Sequence, residues 1–171
     1  KKLVPEWHLA KAVSFTDALA SGRAEQLDDV AIGPEDLAFL QYTGGTTGVA
    51  KGAVLTHGNL IANVQQMAAW MARDLVDGKE VFVCPLPLYH VYALTSCLVF
   101  MKMGAHTVLV SNPRDMKSYI HDLKKYPFTI IIGVNTLYRA LLDAPEFAEV
   151  DTRALKLTSA GGMAVQRVVA E

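Results

Sequence analysis

The sequence predicts an α/β domain built on a mainly parallel β-sheet with helices on both faces. Three observations carry this. Apolar runs of strand length begin at positions 80, 106, 129 and 155, spaced 26, 23 and 26 residues apart. Those runs (Glu80–Cys84, His106–Val110, Thr129–Val134 and Leu155–Ser159) are continuous rather than alternating, as strands buried on both faces are. The gaps between them hold helix-periodic patterns, and strand–helix alternation at this period builds right-handed βαβ units.

Residues 1–33 read as an N-terminal segment and linker. Ser14–Ala20 is expected to form a short helix stopped by Gly22, and Arg23–Asp29 is polar. Residues 34–171 read as the central α/β part. Leu37–Tyr42 is a predicted strand that runs into the Gly/Thr-rich segment Thr43–Gly52, and Ala53–Leu55 is a second, short strand. Leu60, Ile61, Val64, Met67, Ala68 and Met71 share one helical face. Val91–Met103 is apolar nearly all round and stops at Gly104, the pattern of a buried helix. Asn112-Pro113 supplies a cap and a first-turn proline for a helix carrying Met116, Tyr119, Ile120 and Leu123. Asn135 is expected to cap a helix over Thr136–Asp143.

Charge and composition exclude several classes. Lys and Arg number 16 against 17 Asp and Glu, a net charge of −1, so nothing electrostatic favours nucleic acid or an anionic membrane surface. Apolar residues make up 51% and charged residues 19%, with mean hydropathy +0.24, which excludes a disordered chain. The same figures are oily for a free-standing domain, so apolar surface is expected to be covered by further chain. Cys84 and Cys97 have no metal-ligand spacing and read as buried reduced thiols, which fits a reducing compartment. Val91–Met103 is broken by Thr95, Ser96 and Lys102 and is too short to span a bilayer. The chain starts without Met and stops in a helical pattern at Glu171, so a piece of a longer protein is expected.

The informative segment is Tyr42-Thr43-Gly44-Gly45-Thr46-Thr47-Gly48-Val49-Ala50-Lys51-Gly52. It holds four glycines, three threonines and one lysine directly after a strand. Glycines let backbone N–H groups converge on an anion, threonine hydroxyls add donors, and Lys51 is a compact positive charge for a polyphosphate. The plainer reading is a tight exposed turn. The P-loop spacing G-x-x-x-x-G-K-[ST] fails, because Lys51 follows Ala50 and precedes Gly52. The dinucleotide pattern G-x-G-x-x-G fails as well. The segment resembles instead the YTSGTTGxPKG signature of the adenylate-forming superfamily of acyl-CoA synthetases, luciferases and peptide-synthetase adenylation domains. Within it, the chain is most similar to bacterial long-chain fatty acid–CoA ligases. Gly44 stands where that signature has Ser, and Ala50 where it has Pro.

Two further segments continue the resemblance. Pro85-Leu86-Pro87-Leu88-Tyr89-His90-Val91-Tyr92 matches a proline-rich turn ending in an aromatic–His pair, which in the family lines the acyl pocket. Independently, Pro85 must end the preceding strand, so Tyr89 and His90 fall beyond a strand's carboxyl end, where open α/β sheets place ligands. On its residues alone, a core histidine held by one hydrogen bond is the stronger reading of His90. Thr158-Ser159-Ala160-Gly161-Gly162-Met163-Ala164 resembles the family's strand-to-helix turn beside the adenine, and small residues there let a flat base approach the main chain.

The resemblance implies a ligase that joins a fatty acid carboxylate to the α-phosphate of ATP, with Mg2+, and then passes the acyl group to CoA. It implies that Tyr42, Thr43, Gly44, Gly45, Thr46, Thr47, Gly48, Val49, Ala50, Lys51, Gly52 and Ala53 form the phosphate-binding segment, with Thr43 also touching the metal. It assigns catalytic roles to Lys51 and His90, the acyl group to Tyr89 and His90, and the adenine to Gly161, Gly162 and Met163. A cytoplasmic enzyme follows, with peripheral membrane association and a homodimer left open. The family's Mg-binding Glu, ribose-binding Asp and lid lysine fall beyond Glu171, so these residues alone are expected to be inactive. Two alternatives stand beside this reading: a ligase for another carboxylic acid, and a non-catalytic nucleotide-binding module.

Overall fold

The computed structural model describes residues 9–43 and 50–171, the side chain of Thr43 excepted. The chain divides into two units, Lys1–Ile32 and Gly33–Glu171. In the first, Ser14 caps helix α1 (Phe15–Gly22) by accepting the Asp17 N–H at 3.1 Å. Gly22 is the last residue of that helix rather than the residue that stops it.

The second unit opens with an antiparallel hairpin of β1 (Leu37–Thr43) and β2 (Lys51–Thr56), paired from Leu37 against Thr56 to Thr43 against Lys51. Helix α2 (His57–Met71) follows without a break. Thr56 caps it through a reciprocal box, its hydroxyl taking the Asn59 N–H while Asn59 Oδ1 takes its own.

The body of the unit is a four-stranded parallel sheet of β3 (Val81–Cys84), β4 (His106–Leu109), β5 (Ile130–Gly133) and β6 (Leu157–Ala160), in the spatial order β4-β3-β5-β6. The connections are α3 (Val91–Lys102), α4 (Met116–Lys125) and α5 (Asn135–Leu142), with a 3-10 turn at Pro145–Glu149. A short α6 (Arg167–Ala170) follows β6.

Alternate residues of the central strands feed two cores. Phe82, Cys84, Ile130 and Ile132 pack with Val99, Phe100 and Met71 from α3 and α2. Val83 and Ile131 pack on the other face with Tyr119, Ile120, Leu123 and Leu141 from α4 and α5. Helices therefore cover both faces, as the continuous apolar runs predict. Phe82 and Ile130 are fully buried, and each such side chain contributes about 1.5–3 kcal/mol. Gly104 turns the chain at φ +67° out of α3, a conformation that a side chain would strain.

At the amino ends of the strands the buried Glu80 ties three segments together. Its Oε1 accepts the Val76 N–H at 2.8 Å and Lys156 Nζ at 2.6 Å, while its carbonyl accepts the His106 N–H at 2.9 Å. Burial raises the Glu80 carboxyl, but the hydrogen bonds from Lys156 and Val76 outweigh it and leave it below its ordinary value.

Three local expectations need correction. Helix α4 starts later than Asn112-Pro113: those residues form a turn closed by Asp115 N–H to Asn112 O, and Asp115 caps by accepting the Ser118 N–H at 3.2 Å. Asn135 is the first residue of α5 rather than its cap, because its side chain is buried and engaged by the Gln166 N–H at 2.9 Å. Cys84 is buried but Cys97 only partly so, and both thiols are free.

Candidate functional site

The strand order creates a crevice. The connection from β3 leads to β4 on one side, and the connection from β5 leads to β6 on the other, so the chain diverges between β3 and β5. Open α/β sheets bind ligands outside the carboxyl ends of strands at such a point. Three loops leave those ends here: residues 85–90 after β3, residue 134 after β5, and Gly161-Gly162-Met163 after β6.

The loop after β3 carries Tyr89 and His90, both exposed. Pro85 and Pro87 keep it out of helix, and the His90 N–H closes a turn on Pro87 O at 3.0 Å. His90 is the cap of α3, its Nδ1 accepting the Tyr92 N–H at 3.2 Å. Nδ1 therefore carries no proton in this arrangement, and the proton sits on Nε2. Within residues 33–171 the ring is exposed with one nitrogen engaged.

The hairpin reaches this loop through Gln41, whose Nε2 donates to Tyr89 O at 2.9 Å. That contact joins the strand before the Gly/Thr-rich segment to the aromatic–His turn. Tyr42, Lys51, Gly52 and Ala53 are exposed at the open end of the hairpin, where the Thr43–Lys51 pair brackets the intervening loop. Ala50 is also exposed. The predicted phosphate ligands Gly44, Gly45, Thr46, Thr47, Gly48 and Val49 lie outside the described residues, as does the Thr43 side chain. Among the described residues, no three His, Cys, Asp or Glu side chains cluster as metal ligands.

The turn after β6 is shaped by glycine. Gly162 takes φ +79°, and Gly161 lies so close to Tyr92 that a Cβ would meet its ring at 2.9 Å. The Gly161 N–H donates to Gly133 O at 3.2 Å, and Asn135 holds the chain beyond the turn through Gln166. Met163 stands exposed above it. Gln41, Tyr92 and Asn135 thus join the site without having been assigned to it from sequence, where Asn135 was read only as a helix cap. Tyr92 lay inside a quoted motif, whereas Gln41 and Asn135 carried no pattern that assigned them a partner.

Beside the turn, a cavity of about 490 Å³ opens between α2, α3 and the β5–β6 half of the sheet. Met67, Met71, Val99, Phe100, Ile132 and Leu157 give it apolar walls, and Tyr92 and Ser159 stand at its site end. A cavity of about 520 Å³ lies on the other face around Leu141 and Phe147, and none of the predicted site residues lines it.

Comparison with known proteins places these features in a group. The family model described as AMP-binding enzyme matches residues 3–171. The chain is 54% identical to the long-chain-fatty-acid–CoA ligase of Escherichia coli O6:H1, over all of this chain and 31% of that protein. Among solved structures, the inhibitor-bound N-terminal domain of FACL13 from Mycobacterium tuberculosis superposes with TM-score 0.72 at 27% identity, covering 90% of this chain and 38% of that one. A fatty acyl-adenylate ligase from L. pneumophila, solved with acyl adenylate and pyrophosphate, gives TM-score 0.69 at 25% identity, covering 83% of this chain and 26% of its own. The chain thus spans about a third of the length of the curated relatives it matches.

Proposed function

The chain belongs to the AMP-binding enzyme family, and from that premise we propose that it is the central part of an ATP-dependent long-chain fatty acid–CoA ligase. The observation that supports the proposal is that the turns assigned to the acyl group and the adenine leave the carboxyl ends of β3 and β6 and touch through Tyr92 and Gly161. Gln41, in the strand that leads into the phosphate segment, donates to Tyr89 O and ties that strand to the acyl turn.

In this reading the fatty acid carboxylate attacks the α-phosphorus of ATP, giving acyl-adenylate and pyrophosphate. The CoA thiolate then attacks the acyl carbon and expels AMP. The chain's work in the first step is alignment and charge stabilisation. Lys51, at the mouth of the hairpin, neutralises charge on the leaving pyrophosphate. His90 offers its Nε2–H toward the reacting carboxylate while Nδ1 is occupied by the Tyr92 N–H. The Gly161–Met163 turn gives the adenine a flat main-chain wall. The apolar cavity beside Tyr92 and Ser159 takes the hydrocarbon chain, whose burial favours long substrates by about 0.8 kcal/mol per methylene.

In the same reading Thr43 would touch the Mg2+ that accompanies ATP, and no step here runs through the ion. No helix among them is long and apolar enough to cross a membrane. A cytoplasmic enzyme that meets its fatty acid at the inner face of the membrane fits the proposal. Residues 1–171 alone are proposed to lack ligase activity, because the remaining two thirds of the relatives' length would supply the rest of the active site.

The test is fatty-acid-dependent exchange of pyrophosphate into ATP by the full-length ligase. Exchange that rises with hexadecanoate and not with acetate or an aryl acid supports the reading. Exchange with an aryl acid alone would assign another substrate, and nucleotide binding without exchange would favour a non-catalytic module.

A further inference from the structure

We infer that Tyr92 is a positioning residue whose side chain sets the Gly161–Gly162–Met163 turn while its backbone N–H holds the His90 ring, so that one residue links the nucleotide and acyl ends of the site. The inference rests on the reading of this site as an adenylating one and adds a residue to it.

Tyr92 stands between the two halves. Its backbone N–H donates to His90 Nδ1 at 3.2 Å, so its place on α3 and the orientation of the His90 ring are linked. Its side chain leaves in the other direction. The hydroxyl shares a hydrogen bond of 2.9 Å with Ser159 Oγ, two residues before Gly161. The ring edge fills the space that a Cβ on Gly161 would occupy, at 2.9 Å. Burial pushes the Tyr92 hydroxyl up, so the hydroxyl stays neutral and keeps the Ser159 bond across the physiological range.

The opposite face fixes the same strand by a matching device. Tyr138 donates to Ser159 O at 2.6 Å, and its ring lies 2.9 Å from where a Cβ on Gly133 would be. Ser159 is therefore gripped by its hydroxyl from α3 and by its carbonyl from α5. Among the described residues β6 pairs with β5, and Tyr92 and Tyr138 hold it from its two faces. Of the two, only Tyr92 also bonds His90, through its backbone N–H.

The test uses the full-length ligase with Tyr92→Phe, Ser159→Ala and the double variant. Each keeps the ring or the backbone and removes the same hydrogen bond. Each single variant is expected to raise the KM for ATP in pyrophosphate exchange about three- to tenfold, the size of one lost neutral hydrogen bond. The double variant should be no worse than either single. Gly161→Ala should raise it further, and adding Tyr92→Leu, which withdraws the ring from the new Cβ, should recover part of the loss.

A second readout needs no catalysis. Amide hydrogen exchange at Gly161 should speed up by a similar factor in Tyr92→Phe. Unchanged KM, multiplying effects in the double variant, no relief of Gly161→Ala, or unchanged amide exchange would each overturn the inference. Wild-type protein that shows no fatty-acid-dependent exchange would instead strike the functional reading, and the amide measurement would still decide whether the coupling exists.

Discussion

At the amino ends of β3 and β6 a carboxylate is buried and bonded, whereas at the carboxyl ends of the same strands the polar and aromatic side chains stand in solvent. Glu80 is 2% exposed and shares its oxygen with Lys156 and the Val76 N–H. Tyr89 is 81% exposed, and His90 is exposed as well. The two ends are about 10 Å apart along strands four residues long, at a rise of roughly 3.3 Å per residue. The difference shows where this sheet invests its polar groups. The amino end uses a buried carboxylate to lock strands together, and the carboxyl end carries the exposed Tyr89 and His90 beside the bonded Tyr92 and Ser159. Substitutions at the first should register in stability, and substitutions at the second in rate.

The largest effect is expected at the carboxyl end. Lys51→Ala in the full-length ligase should lower the first half-reaction by a hundred- to a thousandfold, since one donor aimed at transition-state charge contributes about 3–4 kcal/mol. Lys51 is exposed on β2, so the melting temperature should not move. Transfer from preformed acyl-adenylate to CoA should be spared. Equal loss in both half-reactions would move Lys51 from the phosphate to the adenylate or the fold.

The amino end gives the next largest effect, in the other observable. Glu80→Gln keeps the shape and removes the charge, and should cost about 2 kcal/mol of unfolding free energy at pH 7, as a lost charged hydrogen bond does. Turnover per folded molecule should be unchanged. The pH dependence has a definite sign. The folded carboxyl lies below its ordinary value of 4.5, so its contribution is complete above that pH and is lost as the pH falls through the lower, folded value. Wild-type protein should lose this increment on acidification below 4.5, and Glu80→Gln should show none. Parallel acid curves for the two would break the contrast.

The two ends differ also in how far the sequence announced them. Ile130-Ile131-Ile132 is buried on both faces, and such a strand leaves a run that hydropathy detects directly. The order β4-β3-β5-β6 leaves no such trace, because backbone pairing is blind to side-chain type. The cap of α4 shows a local competition: Asn112 and Asp115 are both good caps three residues apart, and only the path of the chain from β4 selects Asp115. At the site, glycine-rich and proline-rich turns were visible as departures from periodicity. Gln41 and Tyr92 were not assigned, since a glutamine in a strand and a tyrosine in an apolar helix break no pattern. Their roles arise from complementarity across 48 and 67 residues of chain, which a local reading does not contain.

His90 sharpens the contrast, because it serves both purposes. As the cap of α3 it contributes about 1 kcal/mol of stability, and as a site residue it acts on the rate. His90→Ala should lower acyl-adenylate formation about tenfold, equivalent to about 1.4 kcal/mol, with ATP affinity unchanged, and should also lower the melting temperature. His90→Asn separates the two, since asparagine caps as well as any residue. It should restore the melting temperature and leave the rate low. Recovery of both would make His90 a cap and nothing more.

The smallest effect is expected deep in the core, at a hydroxyl that neither end uses. Tyr119 on α4 is completely buried among Val83, Ile120 and Leu123, and its hydroxyl has no hydrogen-bond partner. Burial pushes it up, so it remains neutral. An unpaired buried hydroxyl carries a desolvation cost that a hydrogen bond would normally offset. Tyr119→Phe removes that cost and one small atom's worth of packing, and the two nearly cancel. Urea unfolding should place the variant within about 0.5 kcal/mol of wild type. Tyr138→Phe is the control, because its hydroxyl donates its one proton to Ser159 O at 2.6 Å and its loss should cost about 1 kcal/mol. A loss above 1 kcal/mol in Tyr119→Phe would mean that the hydroxyl is bonded after all, to an ordered water held in the α4 face of the core.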